Sequence, residues 1–204
     1  AWYMSYNVVY YYFGFGDSSE FLNWADWSLF GWQIPQTSYF DSLNALTCIV
    51  LGPVFAVVWA KMAARPQGDM SMFKKTAIGI FLVGLSYVAM VVANVIRGDG
   101  QCSWFWVILI ALLMSVGEMI FSPLGNSFIS MFAPAKLMGF LLGFWPIAVF
   151  IATLIYPNLY GALDAGSRAG NFNLYYSIIA AVVIICGVPL YAFSGKLDKL
   201  ADEK

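Results

Sequence analysis

Histidine is absent from the 204 residues, and charged side chains make up only 10% of them. The first absence excludes imidazole-based metal binding and acid-base chemistry. The second excludes an ordinary soluble domain, because such chains carry about 25% charge. Cysteine is scarce as well. Cys48 and Cys186 lie in apolar runs and Cys102 in a short loop, so no disulfide framework is indicated and the thiols read as small apolar residues. No metal, cofactor or nucleic-acid partner is expected.

What is present points one way. Hydrophobic residues account for 61% of the chain and the mean hydropathy is +0.76, values that mark an integral membrane protein in contact with a lipid bilayer. Apolar segments run over residues 41–62, 75–96, 104–131, 138–156 and 173–193, each near or above the roughly 20 residues that cross a bilayer. A sixth run, Trp2 to Phe15, would rise only about 21 Å as a helix against a hydrocarbon core of about 30 Å. With Ala1 ahead of it, it reads as the end of a truncated span. The expected organisation is therefore a partial span at 1–15, an outer loop at 16–40, five spans within 41–193 and a tail at 194–204.

Charge orients this arrangement. Lys61, Arg65, Lys74, Lys75, Lys136, Lys196, Lys199 and Lys204 fall on the side that carries the C-terminus, and Arg97 and Arg168 on the other. That asymmetry places the C-terminus in the cytoplasm. The loop from Gly16 to Ser38, with Asp17, Glu20 and Asp26, then faces outward as solvated charge. The cluster Tyr10, Tyr11, Tyr12, Phe13 and Phe15 fits an interfacial aromatic belt.

Glu118 is the one charged residue deep inside a span. A carboxylate there costs a few kcal/mol on insertion scales and marks a cavity, a relay or a substrate site, unless it pairs with a basic or hydroxyl group to hold helices together. Helical spacing puts Ser115, Glu118, Ser122 and Asn126 on one stripe with Gly125 beside it. Pro123 removes a backbone hydrogen bond to the Met119 carbonyl, so a kink is expected one turn from the carboxylate. The span from Asp41 repeats the pattern: Asn44, Thr47, Cys48 and Gly52 share a face, and Pro53 follows. Asn44 suits either a ligand amide or a neighbouring helix. Trp145, before Pro146, suits a pocket wall or packing, and Gly139 with Gly143 suits a close helix contact.

Three runs carry a family resemblance: FGWQIPQTSYFDSLNALTCIVLGPVFAVVW, SVGEMIFSPLGNSFISMFAPAKLMGFLLGFW, and the basic loop between the spans they open. Together they resemble the C-terminal half of the proton-dependent oligopeptide transporters of the major facilitator superfamily, over residues 13 to 193. The GE-x3-SP-x-G core followed by APAKL-x-G and a Trp is the specific part.

The resemblance implies an all-α integral membrane protein: six transmembrane helices forming the C-terminal bundle of a twelve-span fold, with substrate held between two bundles near the bilayer midplane. It implies that Glu118 contacts the amino terminus of a di- or tripeptide and that Asn44 hydrogen-bonds the peptide backbone. Ser122 and Trp145 would line the same pocket, and Pro123 with Gly125 would supply a gating bend. Small peptides, protons and an N-terminal six-helix half are the implied partners.

Two features depart from the family pattern. Gly14 and Phe15 stand where an acid and a glutamine are expected, and the acidic and arginine coupling motif belongs to the other half. The short outer loop Arg97 to Ser103 lacks the large insertion of animal relatives, which points to a bacterial inner membrane. A second reading of different class is a transport-deficient structural subunit, derived from a transporter and held in a larger membrane complex. An enzyme is the weakest reading, since no second titratable group or nucleophile accompanies Glu118 at membrane depth.

Overall fold

The computed structural model describes the backbone of residues 25–26, 28–33, 38–66, 68–134 and 136–202. The expected partial span at 1–15, with its aromatic belt and with Gly14 and Phe15, lies outside the described residues, as do Asp17 and Glu20. Five long helices follow one another: α1 (Ser38–Ala63), α2 (Met72–Arg97), α3 (Trp104–Phe132), α4 (Met138–Gly166) and α5 (Phe172–Ala192). A short helix, α6 (Ser194–Asp202), lies within the expected tail at 194–204.

Each of the five expected apolar runs from residue 41 onward is helical. Among the described residues, Ala45–Ala63, Met72–Arg97 and Ala169–Ala192 are long and apolar enough to cross a membrane. The largest departure is α4, which continues ten residues past the expected end at 156 and carries both Pro146 and Pro157 inside it. Prolines are tolerated in membrane helices where neighbouring groups satisfy the freed carbonyls. Here the extension is also held by packing, since Leu163 is buried in the core and Leu159 lies against it. A five-residue π-helical joint, Ser167–Asn171, then leads directly into α5, with Gly170 at φ +82° taking the turn that an L side chain rarely adopts.

α2 is the middle of the bundle. Ser71 caps its first turn by accepting a hydrogen bond from the Phe73 N–H at 3.2 Å, and Gly98 with positive φ ends it just beyond Arg97. Its buried residues include Ala77, Gly79, Val83, Gly84, Tyr87, Met90 and Ala93. One face takes α3 and an adjoining face takes α5. Against α5, a Cβ on Gly84 would come within 2.6 Å of Ile184, and one on Gly187 within 2.8 Å of Phe81. Small residues let the two backbones approach, as is usual where lipid offers no hydrophobic drive for association. Tyr87 and Tyr176 meet across this seam at 6.4 Å between ring centroids, and Phe172 stacks on Tyr176 at 4.4 Å. Ser86, fully buried, donates to the Val83 carbonyl at 2.6 Å and lies 3.4 Å from the Met114 sulfur.

Short strands gather at the end of the bundle that carries Arg97. β1 (Ala25–Asp26) pairs in parallel with β4 (Cys102–Ser103), while β2 (Ser28–Leu29) and β3 (Trp32–Gln33) form a hairpin. Phe30 and Gly31, both at positive φ, make its two-residue turn, the backbone geometry that matches strand twist. Asn94 donates to Asn173 at 2.8 Å and accepts from Arg97 Nε at 2.8 Å, tying the C-terminal end of α2 to the N-terminal end of α5.

At the opposite end, Lys75 is 5% exposed, pairs with Asp69 at 2.6 Å and sits 4.6 Å over the Trp59 ring of α1. Ser71 donates to Asp198 of α6 at 2.8 Å. Gly139 and Gly143 have nothing within 4 Å of where a Cβ would stand, so the close contact expected of this pair is not made among the described residues. The reason lies in α4 itself, which touches α3 and α5 sparsely and leaves Phe140, Phe144, Ile147 and Phe150 exposed.

Candidate functional site

The site is built on α1 and α3. Along α1 the covered residues are Thr47, Cys48, Leu51, Gly52, Phe55, Trp59 and Met62, while the side chains between them are exposed. That three-to-four spacing is a single helical stripe, and it packs on α3. A Cβ on Gly52 would stand 3.6 Å from the Met119 methyl, which fixes the level of contact. Glu118 is the preceding residue. It is partly covered. Ser115, one turn earlier on the same stripe, is 2% exposed, and Thr47 on the facing helix is 7% exposed.

The polar faces read from the two sequence segments thus meet at the α1–α3 interface. Asn44 continues the covered row of α1 one turn toward its N-terminus, and Ser122, Pro123 and Gly125 continue α3 one to two turns beyond Glu118. Trp145 falls in the first third of α4. The side chains of these five residues, and of Asn126, lie outside the described residues. Backbone placement puts Asn44 and Ser122 on the helices that meet, and Trp145 on a third helix that contacts α3.

Chemically, the interface offers one carboxylate beside hydroxyl and thiol groups in a setting from which water is partly excluded. A carboxylate so placed attracts an ammonium group far more strongly than it would in bulk water. Among the described residues no group of His, Cys, Asp and Glu could hold a metal ion. Outside the spans, burial pushes the Cys102 thiol up to about 11, and the nearby Arg97 charge offsets only part of that effect.

Sequence spacing missed several arrangements that structure displays. Gly117, immediately before Glu118, has no room for a side chain: a Cβ there would lie 2.8 Å from the Gly79 carbonyl oxygen and 2.8 Å from Val83 Cγ2. The Lys75, Asp69 and Trp59 cluster and the Ser71 to Asp198 bond were also not anticipated. Each depends on which helices are neighbours, which spacing within one helix does not report.

The family model of the POT family matches residues 26–178. The chain belongs to the POT family. Dipeptide and tripeptide permease B of Photorhabdus luminescens is 33% identical over 86% of the chain and 38% of the permease. The transporter YclF of Bacillus subtilis is 31% identical over 78% of the chain and 31% of its own length. A crystal structure of a POT family transporter in complex with a thioalcohol-conjugated peptide superposes with a TM-score of 0.77 at 27% identity, covering 96% of this chain and 39% of that one. The chain therefore spans well under half the length of the relatives it matches. It has the POT transporter fold over that part, in a family of membrane transporters with bacterial members, which is not an enzyme class.

Proposed function

We propose that this POT family chain works as the C-terminal six-helix bundle of a secondary transporter that imports di- and tripeptides together with protons. The observation that carries the reading is Glu118, a carboxylate held where α3 packs on the covered stripe of α1. The names of its relatives support the substrate class, since the similar permease is one for dipeptides and tripeptides.

In this mechanism the peptide ammonium, stripped of part of its hydration, is compensated by the Glu118 carboxylate. Asn44 hydrogen-bonds the peptide backbone, while Ser122 and Trp145 line the same pocket. Pro123 and Gly125 let α3 bend as the half-transporter closes against an N-terminal bundle. The protein sits in a bacterial inner membrane with its C-terminus in the cytoplasm, the side on which basic residues collect.

The test is uptake of a labelled dipeptide into proteoliposomes containing the native protein, with and without an inward proton gradient. Gradient-driven uptake that Glu118→Gln reduces by two orders of magnitude or so is the expected result, a loss in keeping with removal of the substrate's counter-charge. Normal uptake by Glu118→Gln would refute the assignment of that residue, and no uptake by the well-folded native protein would overturn the transporter reading.

A further inference from the structure

We infer that Gly117 is a positioning residue for Glu118: by admitting the backbone of α2 against α3, it sets the rotation of α3 that turns the carboxylate toward α1. This inference rests on the reading of Glu118 as the substrate's counter-charge.

Two close approaches, on the residues either side of Glu118, carry it. Gly117 presses on α2, where an added Cβ would meet Gly79 O at 2.8 Å, Val83 Cγ2 at 2.8 Å and Val83 N at 3.3 Å. Met119 touches α1 at Gly52. Glu118 lies between them in sequence and between them around the helix, since successive residues are turned by about 100°. Glu118 is thus held between two walls, α2 on one side and α1 on the other.

The two walls differ in stiffness. Met119 is an unbranched side chain that adapts to its surroundings, so the α1 contact yields easily. Two of the three atoms facing Gly117 belong to the α2 backbone and cannot be moved by changing a rotamer. Any side chain at 117 must therefore roll or lift α3 as a body, and Glu118 moves with it. The glycine is demanded by this close approach rather than by backbone conformation, since residue 117 is helical.

A glycine elsewhere in the bundle provides the control. Gly84 is as tightly enclosed, 2.6 Å from Ile184, but it faces α5 and not α3. If Gly117 served only to hold helices together, alanine at either position would lower the amount of folded protein and leave the substrate's KM alone.

The experiment compares Gly117→Ala, Gly84→Ala and Glu118→Gln in the native protein, reconstituted in proteoliposomes, using dialanine and its N-acetylated form. KM is read because it is independent of how much protein folds. Gly117→Ala is expected to raise the KM for dialanine on the order of tenfold, the scale of a sub-ångström to ångström misplacement, and to narrow the preference for the free amine. Gly84→Ala is expected to leave both unchanged. The double variant Gly117→Ala/Val83→Ala, which removes the side-chain obstacle but not the backbone one, should recover part of the loss.

Equal KM values for Gly117→Ala and Gly84→Ala, with Glu118→Gln inactive, would overturn the positioning role while leaving the substrate site standing. An active Glu118→Gln would remove the site reading and the positioning role with it.

Discussion

Lys75 and Asp69 form an unequal pair: their charged atoms are 2.6 Å apart, but the lysine side chain is 7% exposed and the aspartate 44%. The ammonium depends on the bond, and the carboxylate does not. Lys75 also lies over the Trp59 ring, so a single buried cation ties the end of α1 to the start of α2.

The asymmetry predicts that the two partners cannot be exchanged in a mutational test. Asp69→Asn removes the counter-charge of a buried ammonium, leaving it at most a neutral amide oxygen beside the indole face, and should cost about 1–3 kcal/mol. Lys75→Met leaves a carboxylate that water already reaches and keeps the packing on Trp59, so it should cost less than about 1 kcal/mol. Thermal unfolding of the detergent-solubilised variants measures both, and a larger loss for Lys75→Met would contradict the account.

Ser71 does two jobs with one hydroxyl, accepting from the Phe73 N–H and donating to Asp198. Ser71→Ala should therefore cost about 1 kcal/mol or somewhat more, whereas Asp198→Ala loses only the tie to α6 and should cost about half as much. Protease digestion at the C-terminal end reports the difference: both variants expose α6, and only Ser71→Ala also lowers the melting temperature appreciably.

Glycines of equal rank in the sequence should behave oppositely. Gly84→Val and Gly187→Val drive a side chain into Ile184 and Phe81 at the α2–α5 seam and should destabilise by about 1–3 kcal/mol each. Gly139→Ala and Gly143→Ala meet nothing and should stay within about 0.5 kcal/mol. Comparable losses in α4 and in the seam would show that α4 is packed more closely than the structure has it.

Cys102 offers a pH test outside the spans. Its thiol is held near 11 by burial, against an ordinary value of 9.0. The thiolate is the reactive form, so alkylation by a membrane-impermeant maleimide should be slow at neutral pH and accelerate up to that value. Because the folded pKa is raised, the favourable contribution of the neutral thiol is complete below 9 and is lost as pH rises through about 11. Arg97→Gln removes the opposing charge and should push the reactive range higher still. A rate already levelling off near pH 9 would contradict the burial.

How far the sequence foretold this depends on the range of the interaction. Glu118, Ser115 and the covered row of α1 were legible because a helix repeats every three to four residues and an isolated carboxylate stands out in an apolar run. The extra ten residues of α4 were not, because the burial of Leu163 that sustains the helix is a tertiary fact. The pairing of Ala25 and Asp26 with Cys102 and Ser103 was hidden for the same reason, each segment being only two residues long. Gly117 gave no signal beyond being small. Its meaning came from the carbonyl of Gly79 on another helix.

The central place of α2 also governs the order in which the bundle can assemble during synthesis. Its seam with α3 closes early, since the next helix to emerge supplies Gly117. Its other face waits about a hundred residues for Ile184 and Gly187, a delay of the kind that slows non-local pairing. In the interval the half-finished face, built of Gly84, Tyr87 and neighbouring apolar residues, is exposed to lipid. Hydrocarbon tolerates it at little cost, which a watery compartment would not. The bilayer thus shelters α2 until α5 arrives.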